Sequence, residues 1–135
     1  MFSLKELYQD IILEHGKNPR NFGKLKTADF IAEASNPVCG DGYRVYLKIS
    51  QNTIKDISFD GEGCLISKAS ASLMTEILKN KTIKDAVEVF NRFKRLLKRG
   101  TSKNTGKLAV FSGIYKFPAR IQCALLPWYI IKKRF

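Results

Sequence analysis

The first apolar positions of the chain recur every three or four residues, which is the period of a helix buried along one face. They are Leu4, Leu7, Tyr8, Ile11 and Ile12. Ser3 and Glu6 have the spacing of a capping box, in which two side chains close the first turn of a helix. The pattern therefore predicts a helix that begins after Ser3 and ends by Gly16.

The middle of the chain changes to a period of two, which is typical of strands with one buried face. Apolar residues alternate with mostly polar ones over Tyr43–Ser50, and a second apolar run spans Ile54–Phe59. Gln51-Asn52 between the two runs is suited to a tight turn. With a further strand expected around residues 28–34, these short connections predict a small antiparallel three-stranded sheet.

The helical period returns in the second half, with apolar faces over residues 66–77 and 83–99. Cys64 stands at the first turn of the first of these helices, and Thr82 is a capping residue for the second. The order of helix, strands and helices predicts one α+β domain over residues 1–135, with the small sheet packed against the helices.

Pro127 determines where the last helix is expected to begin. A proline fits a helix in its first turn, so this helix should start between Ile121 and Leu126. That start would place Cys123 at or just before the N-terminus of the helix. Residues 100–106, which precede this region, form a polar and basic loop.

Length and composition exclude several classes of protein. The chain has 135 residues, of which 44% are apolar and 27% charged, as in a single globular domain. Its apolar run over residues 124–131 has eight residues and a proline, whereas a membrane span needs about 20. The N-terminus lacks the layout of a signal peptide. The sequence therefore predicts a cytoplasmic protein without a membrane span.

The net charge of +12 comes entirely from the last third of the chain. Residues 1–88 hold twelve basic and twelve acidic side chains, whereas residues 89–135 hold twelve basic ones and no acid. The densest stretch, residues 92–107, contains Arg92, Lys94, Arg95, Lys98, Arg99, Lys103 and Lys107. Such a stretch is either a solvated face or a surface for an acidic partner, a nucleic acid or an anionic surface.

A basic nucleic-acid-binding module with structural zinc is therefore one alternative for the whole chain. Phe90 and Phe93, however, have the helical spacing of core residues rather than of residues that stack on bases. No motif of a nucleic-acid-reading fold is present in the sequence. We expect neither a nucleic acid nor a membrane as the partner.

Three cysteines occupy positions where the backbone leaves room for a ligand. Cys39 lies in a glycine-containing turn between predicted strands, Cys64 opens a helix, and Cys123 follows the cation Arg120. A helix start and a nearby cation both favour the thiolate, which is a ligand for zinc or for iron with sulfide. An odd number of cysteines argues against a disulfide framework. We therefore expect one shared site.

Asp41 is the nearest candidate for a fourth ligand, because zinc favours four and this carboxylate lies two residues from Cys39. His15, the only histidine, is better explained as a residue near a helix C-terminus. The cysteine spacings of 25 and 59 residues differ from the paired knuckles of structural zinc fingers. A displaceable carboxylate indicates a working site rather than a purely structural one.

Three segments, in order, resemble the cysteine motifs of the IscU/NifU-N family of iron–sulfur cluster assembly proteins. They are Asn36-Pro37-Val38-Cys39-Gly40-Asp41, the segment Gly61–Ser70 around Cys64, and Arg120-Ile121-Gln122-Cys123. The resemblance covers nearly the whole chain and extends to Lys17–Asn21 after the first helix. It implies the SufE/IscU-like (NifU N-terminal) fold, in which a small antiparallel three-stranded sheet packs against helices.

Within the family the chain is most similar to the SufU branch. The 59 residues between the second and third cysteines leave room for the insertion of that branch, and residues 117–123 resemble its pattern. The IscU branch has a histidine just before the third cysteine, where this chain has Gln122. The chain also lacks the Leu-Pro-Pro-Val-Lys chaperone segment of IscU. SufU members usually carry lysine at the position of Gln122, so the local charge differs.

The SufU resemblance implies a zinc site formed by Cys39, Asp41, Cys64 and Cys123. It also implies that Cys39 accepts persulfide sulfur from a cysteine desulfurase that uses pyridoxal phosphate. Apo iron–sulfur proteins or other cluster assembly components would be further partners. The alternative within the family is a scaffold that assembles and donates a labile Fe–S cluster on the same ligands. Only the features of the SufU branch favour sulfur transfer over this scaffold role.

Overall fold

The computed structural model describes residues 3–36 and 40–135. Its elements in chain order are helix α1 (Leu4–Lys17), strands β1 (Phe30–Asn36), β2 (Asp41–Ser50) and β3 (Thr53–Glu62), helices α2 (Leu65–Leu78) and α3 (Ile83–Arg99), the 3₁₀ helix η1 (Gly106–Lys116) and helix α4 (Pro118–Lys132). The predicted α+β order of helix, strands and helices is confirmed, whereas η1 was not expected from the sequence.

The helix starts follow from their capping side chains. Ser3 Oγ accepts a hydrogen bond of 3.2 Å from the backbone N–H of Glu6 at the start of α1. Thr82 Oγ1 does the same for the N–H of Asp85 at the start of α3, at 3.1 Å. Each cap satisfies a backbone donor that has no partner within the helix, and both predicted starts are confirmed.

The three strands form one antiparallel sheet in the order β1-β2-β3. Gln51 and Asn52 join β2 to β3 with φ angles of +52° and +59°, the left-handed conformation that two-residue hairpin turns require. The inner face of the sheet carries completely buried side chains, among them Val45, Leu47 and Phe59. The predicted sheet and its tight turn are therefore present.

The helices cover this face and share its core. Trp128 of α4 is completely buried, with its ring centroid 6.0 Å from that of Phe90 and 5.1 Å from that of Phe93 on α3. Phe90 and Phe93 are 2% and 0% exposed. These two rings are thus core residues, as their spacing predicts, and are not available to stack on bases.

Helix α4 begins earlier than expected, and the prediction of a start between residues 121 and 126 is wrong. It begins at Pro118 after the N-cap residue Phe117, and Pro127 lies inside it. Pro118 is well suited to the first turn. The interior proline destabilises the helix by about 3 kcal/mol, and the burial of side chains such as Trp128 offsets this cost.

No described helix, α4 included, combines the length and apolarity that crossing a bilayer requires.

Candidate metal centre

Three side chains that are distant in sequence converge at one end of the sheet. Asp41, Cys64 and Cys123 each offer one ligand atom, and these atoms all lie within 4.8 Å of one another. Asp41 is the first residue of β2, Cys64 is the N-cap of α2, and Cys123 lies in the second turn of α4. Cys39, the fourth predicted ligand, lies outside the described residues, so its placement stays a prediction.

Asp41 is held in the site by the backbone of α2. The carboxylate is 1% exposed, and its Oδ1 accepts a hydrogen bond of 2.9 Å from the backbone N–H of Cys64. Its Oδ2 is buried and has no hydrogen-bond partner among the described residues. A buried carboxylate oxygen without a partner is costly, and coordination of a cation would satisfy it.

Cys64 uses its sulfur as the cap of α2. The Sγ atom accepts a hydrogen bond of 3.4 Å from the backbone N–H of Ser67, and the side chain is half-buried. One backbone N–H of the first turn of α2 thus has the cysteine sulfur as its partner. The sequence placed Cys64 in the first turn of this helix, and the structure places it one step earlier, at the N-cap.

Tyr43 and Ser67 form hydrogen bonds next to Cys64. The hydroxyls of these two side chains lie 2.7 Å apart, and Ser67 Oγ donates to the carbonyl of Cys64 at 3.0 Å. Gly63 lets them approach, since a Cβ atom there would lie 2.7 Å from Ser67 Oγ. Burial raises the pKa of Tyr43 above its usual value, so its phenol stays protonated.

Tyr43 and Ser67 were not expected at the site from the sequence. Ser67 could have been found, because it stands three residues after Cys64, where a capping side chain meets the helix backbone. Tyr43 carries no comparable signal, since its alternation with polar neighbours indicates only that it faces the core. Its hydroxyl reaches the site because β2 and α2 meet there.

Cys123 is 6% exposed and is positioned by a buried bridge between α2 and α4. Ser70 Oγ donates a hydrogen bond of 2.6 Å to the carbonyl of Ala124 and accepts one of 3.0 Å from Trp128 Nε1. Because Ser70 belongs to the helix that Cys64 caps, this bridge fixes the two cysteine-bearing helices relative to each other.

Arg120 and His15 are not among the three converging donors. The guanidinium of Arg120 lies 4.6 Å from the centroid of the Phe117 ring. His15 is buried in the last turn of α1, and its Nδ1 forms a hydrogen bond of 2.8 Å with Ser72 Oγ. Burial and the nearby charge of Arg20 lower the pKa of His15 below its usual value. His15 thus links α1 to α2 through its hydrogen bond with Ser72 and is not one of the converging metal donors.

The donor set fits a thiophilic metal. Two cysteine sulfurs and one carboxylate oxygen match the ligand preferences of zinc, whereas magnesium and calcium favour oxygen alone. Cys64 and Cys123 are not joined in a disulfide, so both sulfurs are available as ligands. The same donors with Cys39 would also hold an Fe–S cluster, although less firmly than four thiolates.

This fold and this donor group define a class of iron–sulfur assembly domains. Residues 7–124 match the family model of the NifU-like N terminal domain, and the chain belongs to that family. It is 39% identical over 134 residues to the zinc-dependent sulfurtransferase SufU of Bacillus subtilis, covering 97% of this chain and 90% of the relative. It is 35% identical over 132 residues to the iron-sulfur cluster assembly scaffold protein IscU of Thermotoga maritima, covering 96% and 92%.

Solved structures agree with this family membership. A putative iron-sulfur cluster assembly scaffold protein for the SUF system from Fervidobacterium islandicum superimposes with a TM-score of 0.87 at 28% identity, covering 97% of this chain and 98% of that chain. The N-terminal part of a NifU-like protein from Brucella abortus gives 0.84 at 25% identity, covering 93% and 90%. The predicted fold is confirmed, and these relatives do not favour the nucleic-acid-binding alternative.

Proposed function

We propose that this protein acts in iron–sulfur cluster assembly as a zinc-dependent sulfurtransferase, which accepts persulfide sulfur at Cys39 from a pyridoxal-phosphate-dependent cysteine desulfurase. The observation that carries the proposal is the convergence of Asp41, Cys64 and Cys123. Its interpretation is supported by 39% identity, over 97% of this chain, to a protein named as a zinc-dependent sulfurtransferase.

Asp41, Cys64, Cys123 and Cys39 would hold the zinc. Bound zinc would keep the thiols deprotonated and protect them from oxidation. Asp41 is anchored by the backbone of α2 through one carboxylate oxygen and presents the other to the donor group. The antiparallel register pairs Asn36 with Asp41, so the described residues on either side of Cys39 in sequence both lie at this end of the sheet.

The reaction is a thiol exchange. The thiolate of Cys39 attacks the terminal sulfur of the desulfurase persulfide, and a new S–S bond forms on Cys39. The S–S bond of the desulfurase persulfide breaks, and its cysteine leaves as a thiolate. The sulfane sulfur moves from one protein to the other without a net oxidant or reductant. Apo iron–sulfur proteins or other assembly components would receive it next.

The test is the Cys39→Ser variant, with Ser35→Ala as control because Ser35 is exposed on β1 close to Cys39 in sequence and offers no metal ligand. After incubation with a cysteine desulfurase and cysteine, intact-mass spectrometry should show an added sulfur atom on wild type and on Ser35→Ala. Cys39→Ser should remain folded and show none. Sulfur acceptance or full desulfurase stimulation by Cys39→Ser would overturn the assignment of Cys39 as the acceptor.

A scaffold role is the second candidate, because relatives named as IscU scaffold proteins match almost the whole chain, at 35% identity for Thermotoga maritima and 32% for Streptococcus pyogenes. The cargo would then be an Fe–S cluster on the same ligands. Native mass spectrometry of protein purified without oxygen or chelators separates the two roles. Zinc without sulfide supports sulfur transfer, whereas iron with matching sulfide supports the scaffold.

A further inference from the structure

A pocket of about 290 Å³ opens between the last turns of α3 and the loop that follows them. Its lining is basic and polar and includes Arg92, Arg95, Arg99, Thr101, Ser102 and Lys103. None of the donors of the candidate metal centre belongs to this lining. The pocket is therefore a separate feature, and its interpretation does not depend on the proposed function.

The cations converge because of helix geometry. Arg92, Arg95 and Arg99 are spaced three and four residues apart, which places them on one face of α3. Gly100 then adopts a left-handed conformation with φ +79° and ends the helix, which turns the chain so that Lys103 reaches the same pocket. A Cβ atom at Gly100 would lie 2.7 Å from the ring of Tyr115, so η1 packs directly against this turn.

This cluster of positive charge is largely uncompensated. Arg92 pairs with Glu88 at 3.7 Å, and no ion pair within residues 3–36 and 40–135 includes Arg95, Arg99 or Lys103. Residues 89–135 contain no Asp or Glu that could pair with them. Like charges held close together repel each other, and a bound anion would remove that repulsion.

We propose that this pocket binds a compact multivalent anion of the phosphate class, namely a diphosphate group. The planar guanidinium groups of arginine donate paired hydrogen bonds to phosphate oxygens, and the hydroxyls of Thr101 and Ser102 are further donors. The volume of about 290 Å³ lies at the lower limit of small-ligand pockets, which begin at roughly 300 Å³. A pocket of this size accommodates a diphosphate group.

The test is calorimetric titration of the full chain with inorganic pyrophosphate and with ADP. The double variant Arg95→Ala/Arg99→Ala removes two pocket cations. The control Lys84→Ala/Lys98→Ala removes the same charge from exposed positions of α3 that do not line the pocket. Wild type should show one saturable site, which the pocket variant weakens at least about tenfold. The control should bind within about twofold of wild type.

The two ligands identify the source of the phosphate. Equal affinity for both would indicate free pyrophosphate or polyphosphate, and tighter binding of ADP would indicate a nucleotide. The proposal is overturned if neither ligand saturates, if both variants lose affinity equally, or if a single-stranded oligonucleotide binds at this pocket more tightly than either. Cys39→Ser should bind pyrophosphate like wild type, so failure here is distinguishable from failure of the sulfurtransferase assignment.

Discussion

The bridge formed by Ser70 predicts a large effect from the loss of one oxygen atom. Ser70→Ala would leave the indole N–H of Trp128 and the carbonyl of Ala124 without this partner in a completely buried setting. Each buried polar group that loses its partner costs about 1–3 kcal/mol. The carbonyl of Ala124 lies inside α4 and keeps its helical partner, so the cost comes mainly from the indole N–H. The free energy of unfolding should therefore fall by about 1–3 kcal/mol, a large part of the roughly 5–15 kcal/mol that stabilises a typical domain.

Ser58→Ala is the matched control. Ser58 is also buried, at 8% exposure, but its Oγ has no hydrogen-bond partner among the residues that the structure describes. Removing a buried hydroxyl without a partner should be neutral or stabilising. The two variants thus delete the same atom from two buried sites, and they differ in the hydrogen bonds that are lost.

Urea unfolding followed by circular dichroism measures both changes. Trp128 is the only tryptophan of the chain, so its fluorescence also reports whether the environment of the bridge has changed. A double-mutant cycle with Trp128→Phe isolates the Ser70–Trp128 contact. If Ser70→Ala is no more destabilising than Ser58→Ala, the bridge does not fix α4 against α2, and the positioning of Cys123 needs another explanation.

Three further results are expected. Asp41→Ala should lose bound zinc to a chelator faster than wild type, whereas Asp10→Ala, at an exposed position of α1, should not; native mass spectrometry measures both. Burial lowers the pKa of His15 from 6.5, so below about pH 6.5 the unfolded chain takes up a proton that the folded one does not. The free energy of unfolding should then decrease between about pH 7.5 and 5.5, and less so in His15→Gln, as urea titrations would reveal. Gly61→Ala should destabilise the fold more than Gly23→Ala in thermal melts. Both glycines have φ near +130°, but a Cβ at Gly61 would collide with the backbone of β2, whereas at Gly23 it would meet nothing.

Local signals made most of the fold predictable. The caps at Ser3 and Thr82 and the turn at Gln51-Asn52 depend on interactions within three or four residues, which a sequence displays directly. Helix α4 was misplaced because the rule for proline is also local, whereas the burial of Trp128 that accompanies Pro127 is a property of the whole core.

The candidate site divides in the same way. The types of residue at Cys64, Asp41 and Cys123 indicate metal chemistry without any structure, because thiolates and carboxylates have known metal preferences. Their support by Tyr43 and Ser70 depends on contacts across 24 and 54 residues of sequence. No pattern along the chain reveals such contacts, so the supporting residues emerged from the structure alone.

Because the donors lie on separate elements, all three come together only when the whole fold has formed. The sheet and α2 are formed by neighbouring segments, so Asp41 and Cys64 can meet through short-range contacts early in folding. Cys123 arrives on the last helix, which packs against α2, β1 and β2 across long sequence separations. A chain that has been synthesised only as far as α3 would hold two of the three donors. Metal capture by all three would then begin only once α4 has docked.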